Sequence, residues 1–134
     1  MTTHPEGGCL CRDIRYRIDP SHVFSATCQC PTCRRASGAA IVPWIHLPAD
    51  DLVFLRGRPV EYRSSAGVTR TFCGRCGTPL TYLKDSYEGA IDVTTCSLDD
   101  PDAFAPVAHF WTGQRLSWVK LDDGVPCLEE GPPE

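Results

Sequence analysis

Seven of the nine cysteines fall into three tight groups: Cys9-Leu10-Cys11, Cys28-Gln29-Cys30-Pro31-Thr32-Cys33 and Cys73-Gly74-Arg75-Cys76. Cysteines one or three positions apart can turn their sulfurs toward a common centre across a tight turn, and four thiolates around one ion make a closed zinc site. Seven ligands are one short of two closed sites. One full tetrahedron leaves three thiolates over, and a three-thiolate zinc with an open position is a place for chemistry.

A disulfide framework or a redox dithiol is the rival use of clustered cysteines. Nine is an odd count, and Met1-Thr2-Thr3-His4-Pro5-Glu6 has neither an apolar stretch nor a basic start of the secretory kind. Bridges within C-x-C or C-x-x-C would close very small rings. A reduced, cytoplasmic, zinc-binding chain is the expectation.

Composition narrows the class further. The 134 residues suit one domain, 1–134, able to bury well over half of its unfolded surface. The longest apolar run, Ala39 to Val42, is far too short to span a bilayer, so no membrane role is expected. A net charge of -4 and a pI near 5.5 oppose a nucleic-acid partner, which favours a basic face. Arg12, Arg15 and Arg17 are a local exception that alternation assigns mostly to a solvated strand face.

The elements that must position the cysteines read as short strands. Arg12 to Ile18 alternates, with Ile14, Tyr16 and Ile18 on one face. Similar runs are Val23 to Thr27, Ala39 to Ile45, Leu52 to Leu55, Val60 to Ser64, Thr69 to Phe72, Leu80 to Leu83, Ala90 to Thr95 and Ala108 to Thr112. Turn residues such as Asp19-Pro20-Ser21, Arg56-Gly57-Arg58-Pro59 and Tyr87-Glu88-Gly89 separate them. Helix is confined to Pro31 to about Ser37, with single turns possible at Ala49-Asp50-Asp51 and Asp100 to Phe104. The fold class is mainly β, and the tail 129–134, Glu129-Glu130-Gly131-Pro132-Pro133-Glu134, is expected to fray.

Spacing pairs the cysteines into sites. Cys9-x-Cys11 precedes the first alternating strand and Cys73-x-x-Cys76 closes a later one, with Gly74 and Gly77 supplying open backbone for a metal knuckle. These four form the structural zinc of this reading. Cys28, Cys30 and Cys33 form the second, Cys33 in the first turn of the helix, where backbone amides favour thiolate over thiol. Three thiolates make zinc a poor Lewis acid for water but a suitable host for one more thiolate. A thiol substrate would lose its proton there at neutral pH.

These residues resemble the glutathione-dependent formaldehyde-activating enzyme family, which also contains centromere protein V. The likeness rests on Gly7-Gly8-Cys9-x-Cys11 leading to Arg15-Tyr16, CxCxxC-Arg34-Arg35-x-Ser37-Gly38-Ala39, and Thr71-Phe72-Cys73-Gly74-Arg75-Cys76-Gly77-Thr78-Pro79-Leu80. Leu98-Asp99-Asp100-Pro101, Pro106-x-x-His109-x-Trp111 and Ser117-Trp118 extend it over about residues 7–118. The resemblance implies a β-tent fold of small antiparallel sheets, two zinc ions, and reversible addition of glutathione to formaldehyde, a carbon–sulfur lyase chemistry at the Cys28, Cys30, Cys33 zinc.

Two positions depart from the family pattern. Gln29 stands where members often have histidine; it can donate a hydrogen bond but cannot titrate near neutrality. Cys96 stands where a small residue is usual, and either completes the second zinc site or is an inert buried thiol. Arg34 and Arg35 follow the triad and are candidates for holding glutathione's carboxylates, against a plain role as helix-surface arginines. Trp44, Trp111 and Trp118 are expected in the core, and His46 and His109 as structural histidines. No function is read into His4, His22 or Cys127. Three classes remain: an enzyme at an open zinc, a thiol carrier without turnover, and an interaction module with both zincs closed.

Overall fold

Alternation along residues 14–18 survives in three dimensions: Ile14, Tyr16 and Ile18 are buried while Arg17 points to solvent. The computed structural model describes residues 4–132. Its ten strands form two sheets. The smaller has three antiparallel strands, with β2 (Arg15–Ile18) between β1 (Glu6–Gly8) and β5 (Leu52–Arg56). The larger runs in the order β10-β3-β4-β9-β8-β7-β6. Its members are β3 (Phe24–Cys28), β4 (Val42–Pro48), β6 (Val60–Ser65), β7 (Val68–Phe72), β8 (Pro79–Lys84), β9 (Ala90–Thr94) and β10 (His109–Phe110). Only the β10–β3 pairing is parallel. Helix α1 occupies Pro31–Ser37, as its proline start predicts, and single 3-10 turns occupy Ala49–Asp51 and Pro101–Phe104.

The core lies between the sheets. Tyr16 and Ile18 of β2 meet Ile45 and Leu47 of β4, Val93 of β9 and Leu80 of β8, joined by Ile14 and Leu98. Each large apolar side chain buried this completely contributes roughly 1.5–3 kcal/mol. Cys9 and Cys73 belong to the same cluster, so one cysteine group is built into the core rather than appended to it.

The motif around Leu98-Asp99 joins the two sheets. Arg15 donates a bidentate pair of bonds to Asp99 at 2.9 and 2.6 Å, with Glu6 at 3.5 Å. Tyr16 Oη lies 2.6 Å from Ser97 Oγ, and Gly7 bridges to Leu98. A side chain at position 7 would collide with the Tyr16 ring, so glycine is required there by close approach.

Three expectations change. The strand expected from Arg12 begins only at Arg15, because Arg12 has φ 68° and turns the chain back within the first cysteine knuckle. Trp118 is 69% exposed rather than in the core, and Trp44 and Trp111 are only partly buried. Of the tail expected to fray, residues 129 and 130 are tied down: their carbonyls accept from the amides of Gly113 (3.2 Å) and Trp111 (3.1 Å). Residues 133 and 134 lie outside the described residues.

Candidate metal centres

The sulfurs of Cys9, Cys11, Cys73 and Cys76 lie within 4.8 Å of one another. Cys11 Sγ is 3.6 Å from Cys9 Sγ and 3.7 Å from Cys73 Sγ. Four sulfurs on a tetrahedral zinc sit about 3.8 Å apart, given bonds near 2.3 Å, so this donor set fits such an ion. Backbone amides already point at the sulfurs. Ile14 N–H donates to Cys9 at 3.3 Å, and both Arg75 and Cys76 donate to Cys73 at 3.4 Å. The Thr78 hydroxyl, 3.3 Å from Cys76 Sγ, and then the Thr78 amide bring the Cys76 thiol down to about 5, a thiolate ready to ligate. The two knuckle glycines serve different needs. Gly77 has φ 81°, whereas Gly74 leaves room for the Val60 side chain.

Cys28, Cys30 and Cys33 form a second group within the same 4.8 Å limit. Cys28 ends β3, Cys30 is the N-cap of α1, and Cys33 lies in its first turn, so a strand end and a helix start converge at one point. Cys28 Sγ lies 3.3 Å from Cys30 Sγ, which also accepts from the Cys33 amide at 3.4 Å. Hydrogen bonds from Cys28 and then Cys33 pull the Cys30 thiol far down, while the bond to Cys30 pushes Cys28 up.

The supports of this triad come from distant parts of the chain. Arg34 Nη1 donates to the carbonyls of Gln29 (2.5 Å) and Gln114 (2.6 Å). One nitrogen of this guanidinium thus braces the triad loop against the C-terminal region. Gln29 N–H donates to Phe110 O at 3.2 Å, and buried His109 pairs with Thr27 (2.7 Å) and Asp123 (2.9 Å). The Gln29 side chain is 0% exposed, and neither its amide nitrogen nor its oxygen has a partner. An orphaned buried amide costs roughly 1–3 kcal/mol.

A cavity of about 690 Å³ opens beside Cys33, and its wall includes Arg35, Trp44, Arg70, Tyr82 and Cys96. Cys96 is exposed within the 3-10 turn Thr95–Ser97 and stands outside the cysteine group, so it is a wall residue rather than an inert buried thiol. Arg70 was not singled out from the sequence. Its guanidinium lies 4.8 Å from the centre of the Tyr82 ring and 3.9 Å from Cys33 Sγ. None of the described carboxylate ion pairs engages Arg35 or Arg70, so two arginines without a carboxylate partner line the cavity.

Arg70 belongs to a row. Tyr62, Arg70, Tyr82, Asp92, His46 and Phe24 are successive partners across β6, β7, β8, β9, β4 and β3, and so share one face of the larger sheet. His46 Nδ1 is 2.6 Å from Asp92 Oδ1, and Tyr87 donates to Asp92 Oδ2 at 2.9 Å. The bond to Asp92 raises the His46 pKa above 6.5 against an opposing desolvation. A raised histidine pKa stabilises the fold fully below 6.5 and loses that contribution as pH rises through the folded value. The melting-temperature advantage of wild type over Asp92→Asn should therefore shrink from about pH 6 to pH 9, with both alleles' thiol titrations cancelling in the difference.

A family model for glutathione-dependent formaldehyde-activating enzyme matches residues 4–114. The chain belongs to this family. The match takes in both cysteine groups and Arg70 and ends at Gln114, the residue whose carbonyl Arg34 holds. No curated protein matches the chain. A crystal structure of a Rhodobacter sphaeroides protein, a structural genomics target, is similar with a TM-score of 0.57 at 22% identity. That similarity covers 70% of this chain and 87% of the other, and it is a likeness of fold. Among the described residues no helix is long and apolar enough to cross a membrane.

Proposed function

We propose that this member of the formaldehyde-activating family is a zinc enzyme of the carbon–sulfur lyase type, which joins glutathione to formaldehyde and reverses the step. Zinc on Cys9, Cys11, Cys73 and Cys76 is structural, and zinc on Cys28, Cys30 and Cys33 is the reactive one. The two sheets packed through Tyr16 and Ile45 support the β-tent assignment. The observation that carries the reading is that three converging thiols, joined by no fourth cysteine, histidine or carboxylate among the described residues, adjoin a cavity whose wall includes Arg35 and Arg70.

Zinc held by the triad supplies the charge that keeps a substrate thiol deprotonated at neutral pH. The chain's own residues do the rest. Arg70, fixed on the Tyr82 face and 3.9 Å from Cys33 Sγ, and Arg35 on the same wall meet the carboxylates of the thiol substrate. They orient its sulfur toward the triad. In the overall step a carbon–sulfur bond forms, the carbonyl π pair moves to oxygen, and that oxygen takes up the proton the thiol gave up. Gln29 cannot titrate, so a water molecule would relay that proton from the thiol to the oxygen.

Exchange NMR on a mixture of glutathione and formaldehyde measures the interconversion rate directly. Acceleration by the zinc-loaded protein is expected; an unchanged rate alongside detectable glutathione binding would replace the enzyme with a carrier. Arg70→Ala should raise KM for glutathione about tenfold while leaving a neutral thiol little affected. Equal losses for both thiols would remove Arg70 from carboxylate recognition.

A further inference from the structure

We propose that β6 is a self-pairing edge through which two copies of this chain join antiparallel, about a twofold axis at Tyr62. β6 is the last strand of the larger sheet, and no described strand pairs with its outer side. All six of its residues, Val60–Ser65, are exposed, and Tyr62 is 62% so. An open row of backbone donors and acceptors is a template for another strand, and natural edges are commonly blocked by like charges, proline or inward-pointing lysine. β6 has no proline or lysine within Val60–Ser65, and its two charges, Glu61 and Arg63, are of opposite sign.

Its charges select the occupant and the register. Glu61 and Arg63 stand two residues apart, hence on one face, with Tyr62 on the other. In an antiparallel pair centred on Tyr62, Glu61 lies opposite the partner subunit's Arg63, and Arg63 lies opposite the partner subunit's Glu61. Symmetry produces two opposite-charge pairs from one sequence, the self-complementarity that an isologous interface requires. Tyr62 meets the partner's Tyr62 on the axis. Arg63 is not otherwise secured: its contact with Asp85 spans 3.7 Å between groups 64% and 68% exposed, a weak pair. The bulge between Arg63 and Ser65 ends the regular ladder, so the pairing is short and the dimer concentration-dependent.

Tyr62 and Ser64 also line the cavity beside Cys33, so the pairing places two such cavity walls next to each other at the axis.

Sedimentation velocity across a concentration series tests this. Wild type should dimerise; Glu61→Arg, which sets like charges opposite each other, should weaken the dimer by about tenfold or more. Arg63→Glu should do the same, and the double variant Glu61→Arg/Arg63→Glu, whose pairs are again opposite in sign, should restore it. Circular dichroism and zinc content identify any variant that has failed to fold, and the remaining single variant then decides. A monomer at every attainable concentration overturns the proposal. So does a dimer indifferent to both single reversals, or a double variant no better than either single one.

Discussion

Replacing Cys73 by alanine should unfold the protein at ordinary temperature. Cys73 is 2% exposed, belongs to the core cluster with Cys9, Leu80 and Ile14, and accepts the Arg75 and Cys76 amides at its sulfur. Losing it removes a ligand from the proposed structural zinc and leaves two amides aimed at a void. A structural zinc can supply roughly 10 kcal/mol or more, while a domain of this kind has about 5–15 kcal/mol of net stability. The same argument predicts that chelation melts the fold. Circular dichroism with metal analysis reads both, and a Cys73→Ala variant that melts where wild type does would remove zinc from the stability of this core.

Cys28→Ser should behave in the opposite way: it should keep the fold, lose one of two zinc ions, and lower the rate of adduct formation by about a hundredfold or more. The three ligands of that group lie within six residues, so they clasp only a strand end to the helix that follows it. Brackets from elsewhere, such as Arg34 on Gln29 and Gln114 and the Gln29 amide on Phe110, hold the loop without metal. Cys28 itself is only partly buried. Metal stoichiometry and exchange NMR on one sample separate the outcomes. A variant retaining both ions, or one retaining full rate with one ion, would break the link between this triad and the chemistry.

Local signals were legible where one element supplies the whole pattern. Pro31 and the cysteine at its N-cap specify α1 at Pro31–Ser37, and C-x-C with C-x-x-C-Gly specifies the knuckles, because turn geometry and ligand spacing are properties of a few adjacent residues. Arg70 was invisible for the opposite reason. In Val68–Phe72 it is one polar position of an alternating strand, and its importance comes from Tyr82 in the next strand and Cys33 in a helix 37 residues away. The Arg34 brace was invisible for the same reason, since its partner Gln114 is 80 residues distant. Trp118 fails the core expectation since aromatic type alone does not say which side of a strandless loop faces inward. Glu129 and Glu130 are bonded through their backbone carbonyls to Gly113 and Trp111, and backbone bonds leave no trace in composition.

The two cysteine groups also differ in when a growing chain can complete them. Cys28, Cys30 and Cys33 leave the ribosome almost together, so the proposed second site would have its three thiols in place early. Cys11 must wait 62 residues for Cys73. At roughly 5–20 residues per second that is about 3–12 s of synthesis, during which Cys9 and Cys11 are a half-site on an unfolded chain. Because Cys9 and Cys73 share the apolar cluster, completing the proposed metal site and completing this part of the core would both wait for Cys73. A shortage of metal, or an oxidant reaching the first two thiols in that interval, would cost the nascent chain its core as well as its ion.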